Sequence, residues 1–150
     1  MRQFNFKLQR LLSYRKLLTE QAKGFLAGKV GELQAARNES NELREIRNRT
    51  KEYRDKGLKT GMHAFQAVNL HEHLLRIDET VRFANEKTEK ARIEVSAATE
   101  KLVEKRKEEE ILKTLKKRRF DAWTRDYYRD EGKTLDDIAT VKYLKDRKEK

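Results

Sequence analysis

Residues 70–112 read LHEHLLRIDETVRFANEKTEKARIEVSAATEKLVEKRKEEEIL. Steps of four and three from Leu70 meet Leu74, Ile77, Val81, Ala84, Thr88, Ala91, Val95, Ala98 and Leu102, then Lys105 and Glu109, and end on Leu112. A 3.5-residue spacing kept over about six heptads, flanked by charge and free of proline, specifies one straight helix with a narrow apolar stripe. Such a stripe must be covered by another helix.

The cover has to come from a very polar chain. Of 150 residues only 36% are hydrophobic while 42% are charged, so the core is a seam and the class is all-α. Cysteine is absent, which excludes a disulfide framework and thiolate metal sites. No window approaches the roughly 18 consecutive apolar residues of a membrane span. The opening Met1-Arg2-Gln3-Phe4 lacks the apolar core of a signal peptide, and the chain reads as cytosolic.

A partner seam precedes the first. It opens with Phe4, Leu8 and Leu11 and continues through Leu18, Ala22, Phe25 or Leu26, Val30, Leu33, Ala36, Ser40, Leu43, Ile46, Thr50 and Tyr53. Its spacing slips between Ala22 and Val30, near Gly24, Gly28 and Gly31, which predicts a looser or bent stretch there. Between the seams lies Asp55-Lys56-Gly57-Leu58-Lys59-Thr60-Gly61-Met62. Gly57 is expected to end the first helix in the left-handed conformation and Thr60 to cap the second. The reading is an antiparallel two-helix coiled-coil hairpin: first helix 4–56, tip turn 57–61, second helix 62–131. Folding about Lys59 pairs Tyr53 with Phe65, Leu43 with roughly Arg76 and Leu11 with roughly Lys107.

The second arm overhangs the first, and the overhang holds Phe120, Trp123, Tyr127 and Tyr128. Gly132 is expected to stop the helix, and Thr134-Leu135-Asp136-Asp137 resembles a capping box opening a short C-terminal helix over 134–148 with Leu135, Ile138, Ala139 and Tyr143. The tail from Lys145 is charged and expected to fray. Either that last helix folds back on the aromatics or a partner covers them.

Charge is unevenly placed. Residues 1–20 carry a net +4 and residues 101–119 a net +5, together +9 of the chain's +11. A hairpin sets these stretches side by side, making the end with both termini basic. Nucleic acid is not the expected partner: acids intersperse the bases, no helix-turn-helix or RNP pattern is present, and the aromatics do not alternate with bases along a groove. No phosphate-binding glycine loop, nucleophile elbow or carboxylate pair points to catalysis, and no cofactor is expected. His71 and His73, two apart on a helix, point to different faces and do not make a metal site.

Three stretches carry a family resemblance: Phe4-Asn5-Phe6-Lys7-Leu8-Gln9-Arg10-Leu11-Leu12, the tip Gly57-Leu58-Lys59-Thr60-Gly61-Met62 with the later Arg76-Ile77-Asp78-Glu79-Thr80-Val81, and Lys133-Thr134-Leu135-Asp136-Asp137-Ile138-Ala139. In order and spacing they resemble FliJ, the small coiled-coil component of flagellar protein export, and its YscO-type secretion relatives. His71, His73 and the three glycines of the first arm depart from the family pattern. The resemblance implies a non-enzymatic rod similar to the stalk of rotary ATPases. It implies binding to the hexameric export ATPase and to the export gate at the inner membrane, handling of export chaperones, and a cytoplasmic protein peripherally associated with that membrane. The basic end supplies the expected ATPase-binding residues Arg10, Arg15, Lys117, Arg118, Phe120 and Trp123. By resemblance, the tip half supplies the gate-binding residues Ile46, Arg49, Tyr53, His73 and Ile77, although Ile46 and Ile77 also read as core. The isolated chain is expected to be monomeric. The alternatives are a structural coiled coil self-associating through Phe120, Trp123 and Tyr127, and a basic nucleic-acid-binding coiled coil.

Overall fold

The computed structural model describes residues 3–148, with side chains through residue 142. Two helices make up the architecture, α1 (Gln9–Lys59) and α2 (Ala64–Lys148). All thirteen positions of the seam quoted from Leu70 to Leu112 are buried or half-buried, as their spacing requires.

The covering stripe of α1 differs from the expected one. Leu12, Arg15, Thr19, Ala22, Leu26, Lys29, Leu33, Ala36, Ser40, Leu43, Arg47, Thr50, Arg54 and Gly57 are buried or half-buried and alternate in strict steps of three and four. There is no slip between Ala22 and Val30. Gly24, Gly28 and Gly31 face outward, with open space where a side chain would stand. Leu11, Phe25, Val30, Ile46 and Tyr53, read as seam residues by hydrophobicity, lie beside the seam and are largely exposed. Charged residues hold their seam places with long apolar stems, and the heads of Arg15, Lys29 and Arg47 reach acids on α2 while Arg54 pairs with Asp55 of its own helix. Arg47 pairs with Asp78, and Lys29 bonds Glu32 and Glu94 at 2.8 Å each. Hydrogen bonds donated to Glu32 and then Glu94 hold the Lys29 ammonium well above the usual lysine range.

Cross-helix contacts fix the register. The Ser40 hydroxyl donates to Asn85 at 2.8 Å, the Thr88 hydroxyl to the Ala36 carbonyl at 3.2 Å, and Lys87 pairs with Glu39 at 2.6 Å. Folding about Lys59 would have brought Arg82 to Ala36; Thr88 is there instead, so the reversal is centred about three residues later. Tyr53 and Phe65 are accordingly not a packed pair, being 65% and 77% exposed.

The turn explains the shift. Gly57 stays helical and Gly61, at φ 88°, takes the left-handed conformation. The Met62 amide then bonds the Gly57 carbonyl at 2.9 Å, satisfying one of the carbonyls a helix end leaves open. The Thr60 hydroxyl bonds back to Lys56 and Gly57 rather than capping α2. The first helix therefore ends at Lys59 rather than 56, and it begins at Gln9 rather than 4.

The stop at Gly132 is not observed. α2 runs through it to Lys148, and no separate C-terminal helix forms. One glycine costs a helix about 1 kcal/mol, too little to break it without a competing cap. Thr134 supplies no cap: its hydroxyl bonds the Asp130 carbonyl one turn back. Tyr143 and the charged tail from Lys145 lie outside the described side chains.

Two compact units divide the chain. One joins the residues up to Leu18 with those from Lys105 on, and the other spans Thr19–Glu104. In each, α1 residues pack against α2 residues running the opposite way.

Candidate functional site: the basic aromatic unit

The unit formed by the two ends of the chain is built from the segment before α1 upward. In Phe4-Asn5-Phe6-Lys7-Leu8 every second residue is apolar, the period of an extended segment rather than a helix. The chain is non-helical until Gln9, and the three apolar side chains pack inward. Phe6, Leu12 and Leu112 form a buried cluster, with Phe4, Leu8 and Leu115 against it. In the sequence Phe6 and Leu12 stand out only within the stretch that carries the family resemblance, not as core, and Leu115 does not stand out at all. The alternation was the signal for Phe6.

Phe4 packs on two of the α2 aromatics, Phe120 and Trp123, while Phe120 stays 46% and Tyr128 66% exposed. Its ring stands edge-on to Phe120 at 5.2 Å and tilted to Trp123 at 6.0 Å. From Phe120 the rings continue along α2, Phe120 on Trp123 at 5.9 Å and Trp123 on Tyr127 at 5.4 Å, with Tyr128 edge-on to Tyr127 at 5.8 Å. This ladder is not covered by a returning C-terminal helix. The Tyr127 phenol donates to Glu131, and that bond, which favours the protonated phenol, raises it above the usual tyrosine range.

The bases divide into those that build the unit and those that face outward. Arg15 reaches Glu108 at 2.5 Å, Lys116 donates to Gln9 at 2.8 Å, Lys113 pairs with the buried Glu109 at 2.8 Å, and Arg119 lies 5.9 Å from the Phe6 ring. Glu109 is the largest cause of the raised Lys113 titration. Arg10, Lys117 and Arg118 are exposed and form no ion pair among the described residues. Of the six residues expected at this end, Arg10, Lys117 and Arg118 are thus available charges. Phe120 and Trp123 belong to the ladder, and Arg15 is a structural cross-tie.

The residues expected in the tip half lie in the other unit. Ile77 is 8% exposed and part of the core, whereas Ile46 is 49% exposed and Tyr53 65%. Arg49 stands in solvent beside Glu45 at 3.3 Å, and His73 is exposed. Glu39 pairs with Lys87, and two heptads toward the turn that register sets Tyr53 opposite His73 and Ile46 opposite Thr80. Ile46, Tyr53 and His73 therefore share one flank, with Ile77 beneath it and Arg49 a turn away. Among the described residues no group of His, Asp and Glu could hold a metal ion, and no helix is long and apolar enough to cross a membrane.

Comparison with known proteins gives a family and a fold. Residues 4–148 match the family described as Flagellar FliJ protein. The solved structure of CT670, a YscO homolog from Chlamydia trachomatis, superposes with a TM-score of 0.64 at 18% identity, over 99% of this chain and 100% of that one. No curated protein matches the sequence.

Proposed function

Because the chain belongs to the flagellar FliJ family, whose place is in flagellar and type III export, we propose that it is a non-enzymatic stalk and adaptor of the export apparatus. It binds the export ATPase ring through the basic aromatic unit and the cytoplasmic part of the export gate through the flank near the turn. It handles export chaperones at the cytoplasmic face of the inner membrane. The observation that carries the ATPase assignment is the joining, in one unit, of exposed bases at Arg10, Lys117 and Arg118, without an ion pair among the described residues, with the ring ladder from Phe4 to Tyr128. Unpaired surface bases steer an acidic partner and contribute little to folding, while aromatic rings supply a desolvated anchor.

The test is charge reversal that spares the cross-tie. Arg10→Glu, Lys117→Glu and Arg118→Glu together should leave helix content and Tm near those of the wild type. They should also weaken ATPase binding at least about tenfold at low salt, and less at high salt. Binding that is unchanged in this folded variant overturns the assignment. Arg15 stays out of the set, because its replacement would strip Glu108 of a partner and confound folding with binding.

The flank near the turn is proposed for the gate because Ile46, Tyr53 and His73 lie together on it, exposed beside the seam. Tyr53→Ala with His73→Ala should reduce motility while circular dichroism stays at wild-type helicity. Full motility in that variant removes the flank from the gate contact.

A further inference from the structure

The outward face of α2 carries a stripe that neither proposed contact uses. Arg76, Glu79, Phe83, Glu86, Lys90, Ile93, Ala97 and Glu100 recur in steps of three and four outside the seam, and all are exposed, with Phe83, Glu86 and Lys90 also bordering the groove beside Glu32 and Ala35 of α1. Phe83 and Ile93 are 56% and 60% exposed. Arg76, Glu86, Lys90 and Glu100 form no ion pair among the described residues, although nearby Arg82 and Arg92 pair within their own helix to Glu79 and Glu89.

The order of these residues is self-complementary. Phe83 and Ile93 are equidistant from Thr88; so are Glu86 and Lys90, and so are Arg76 and Glu100. Laid antiparallel on a second copy of itself about the level of Thr88, the stripe sets Phe83 against Ile93, Glu86 against Lys90 and Arg76 against Glu100, each twice. That repetition is what an isologous two-fold contact requires. Glu79 meets Ala97, which leaves room for its stem. Glu72 and Glu104, next outward on the same stripe and also equidistant from Thr88, would meet as like charges and so bound the contact. Scattered exposed apolar residues are ordinary on a helix surface. A stripe that sets Phe83 and Ile93, Glu86 and Lys90, and Arg76 and Glu100 at mirror positions, those four charges forming no ion pair among the described residues, has a specific complement, and that complement is itself.

We propose that this chain associates with a second copy of itself, antiparallel, through the α2 stripe between Arg76 and Glu100. The inference does not rest on the export reading. A contact confined to one helix face of about seven turns lies at the small end of specific interfaces, so the association is weak and concentration-dependent.

The experiment is sedimentation equilibrium of the full chain with single and mixed charge-reversal variants, each checked for wild-type helicity. Wild type should pass from monomer to dimer as concentration rises. Glu86→Lys alone sets lysine against lysine at both contacts, Lys90→Glu alone sets glutamate against glutamate, and each should weaken association about tenfold or more. An equimolar mixture of the two variants restores both attractive pairs and should recover the dimer as a one-to-one heterodimer. Wild type that stays monomeric up to about 1 mM overturns the proposal. Dimers indifferent to both single reversals, or a mixture that stays monomeric, overturn it equally.

Discussion

Two glycines four residues apart divide the work of the reversal, and only one of them needs its lack of a side chain for the backbone. Gly61 sits at φ 88°, where a Cβ costs about 1–2 kcal/mol. Gly57 is helical, and a Cβ there would come 2.0 Å from the Met62 Cε. That atom is the free end of a flexible side chain and can move aside, while alanine brings the helix back about 1 kcal/mol of propensity. Gly61→Ala should therefore lower stability by about 1–2 kcal/mol, and Gly57→Ala should change it by less than about 1 kcal/mol. Thermal unfolding followed by circular dichroism reads both, and a larger loss at Gly57 would put the left-handed cap there instead. The sequence shows that a turn lies between Asp55 and Met62, since the apolar period breaks there. It does not show which glycine takes positive φ, because that depends on the Met62 amide finding the Gly57 carbonyl.

At the scale of the element, the two helices were unequally readable for one reason. α2 puts apolar or small residues at nearly all its seam positions, so hydrophobic periodicity finds the true stripe directly. α1 puts Arg15, Lys29, Arg47 and Arg54 into its seam and sets Leu11, Phe25, Ile46 and Tyr53 one position aside. Following hydrophobicity then drifts to the neighbouring stripe and creates an apparent slip. The true stripe is marked instead by bases with acids in reach across the pair, as Lys29 has Glu94 and Arg47 has Asp78. The same drift bears on the candidate sites: Ile46 and Tyr53 look like seam residues by hydrophobicity, yet they are 49% and 65% exposed. Polar seam positions also weaken a coiled coil while fixing its register. Ser40, 2% exposed and bonded to Asn85, can keep that bond only in the observed register.

For the whole molecule, the charge map and the packing point to the same end of the chain. The basic stretches expected to meet do meet, through Leu12 on Leu112, Gln9 with Lys116 and Arg15 with Glu108. What the sequence hid was the cover of the aromatics, because the residues that supply it lie more than a hundred positions away and precede the first helix. Trp123, the single tryptophan, is a reporter placed inside this contact. Phe4→Ala removes an edge-on ring pair and part of the half-buried surface against the Phe6, Leu12 and Leu112 cluster. Ring pairs are worth about 0.5–1.5 kcal/mol beyond their area, and truncating a fully buried phenylalanine costs about 3–5 kcal/mol, so a loss of about 2 kcal/mol is expected for this half-buried one. Helix content should hardly change, since Phe4 lies outside α1. Trp123 emission should shift to longer wavelength as water reaches the ring, whereas Asn5→Ala, at an exposed neighbouring position, should leave the spectrum unchanged. If Phe4→Ala leaves the emission maximum and quencher accessibility of Trp123 at wild-type values, the segment before α1 does not cover the ladder. The hydrophobic half of the proposed ATPase contact would then rest on the α2 rings from Phe120 to Tyr128 without Phe4.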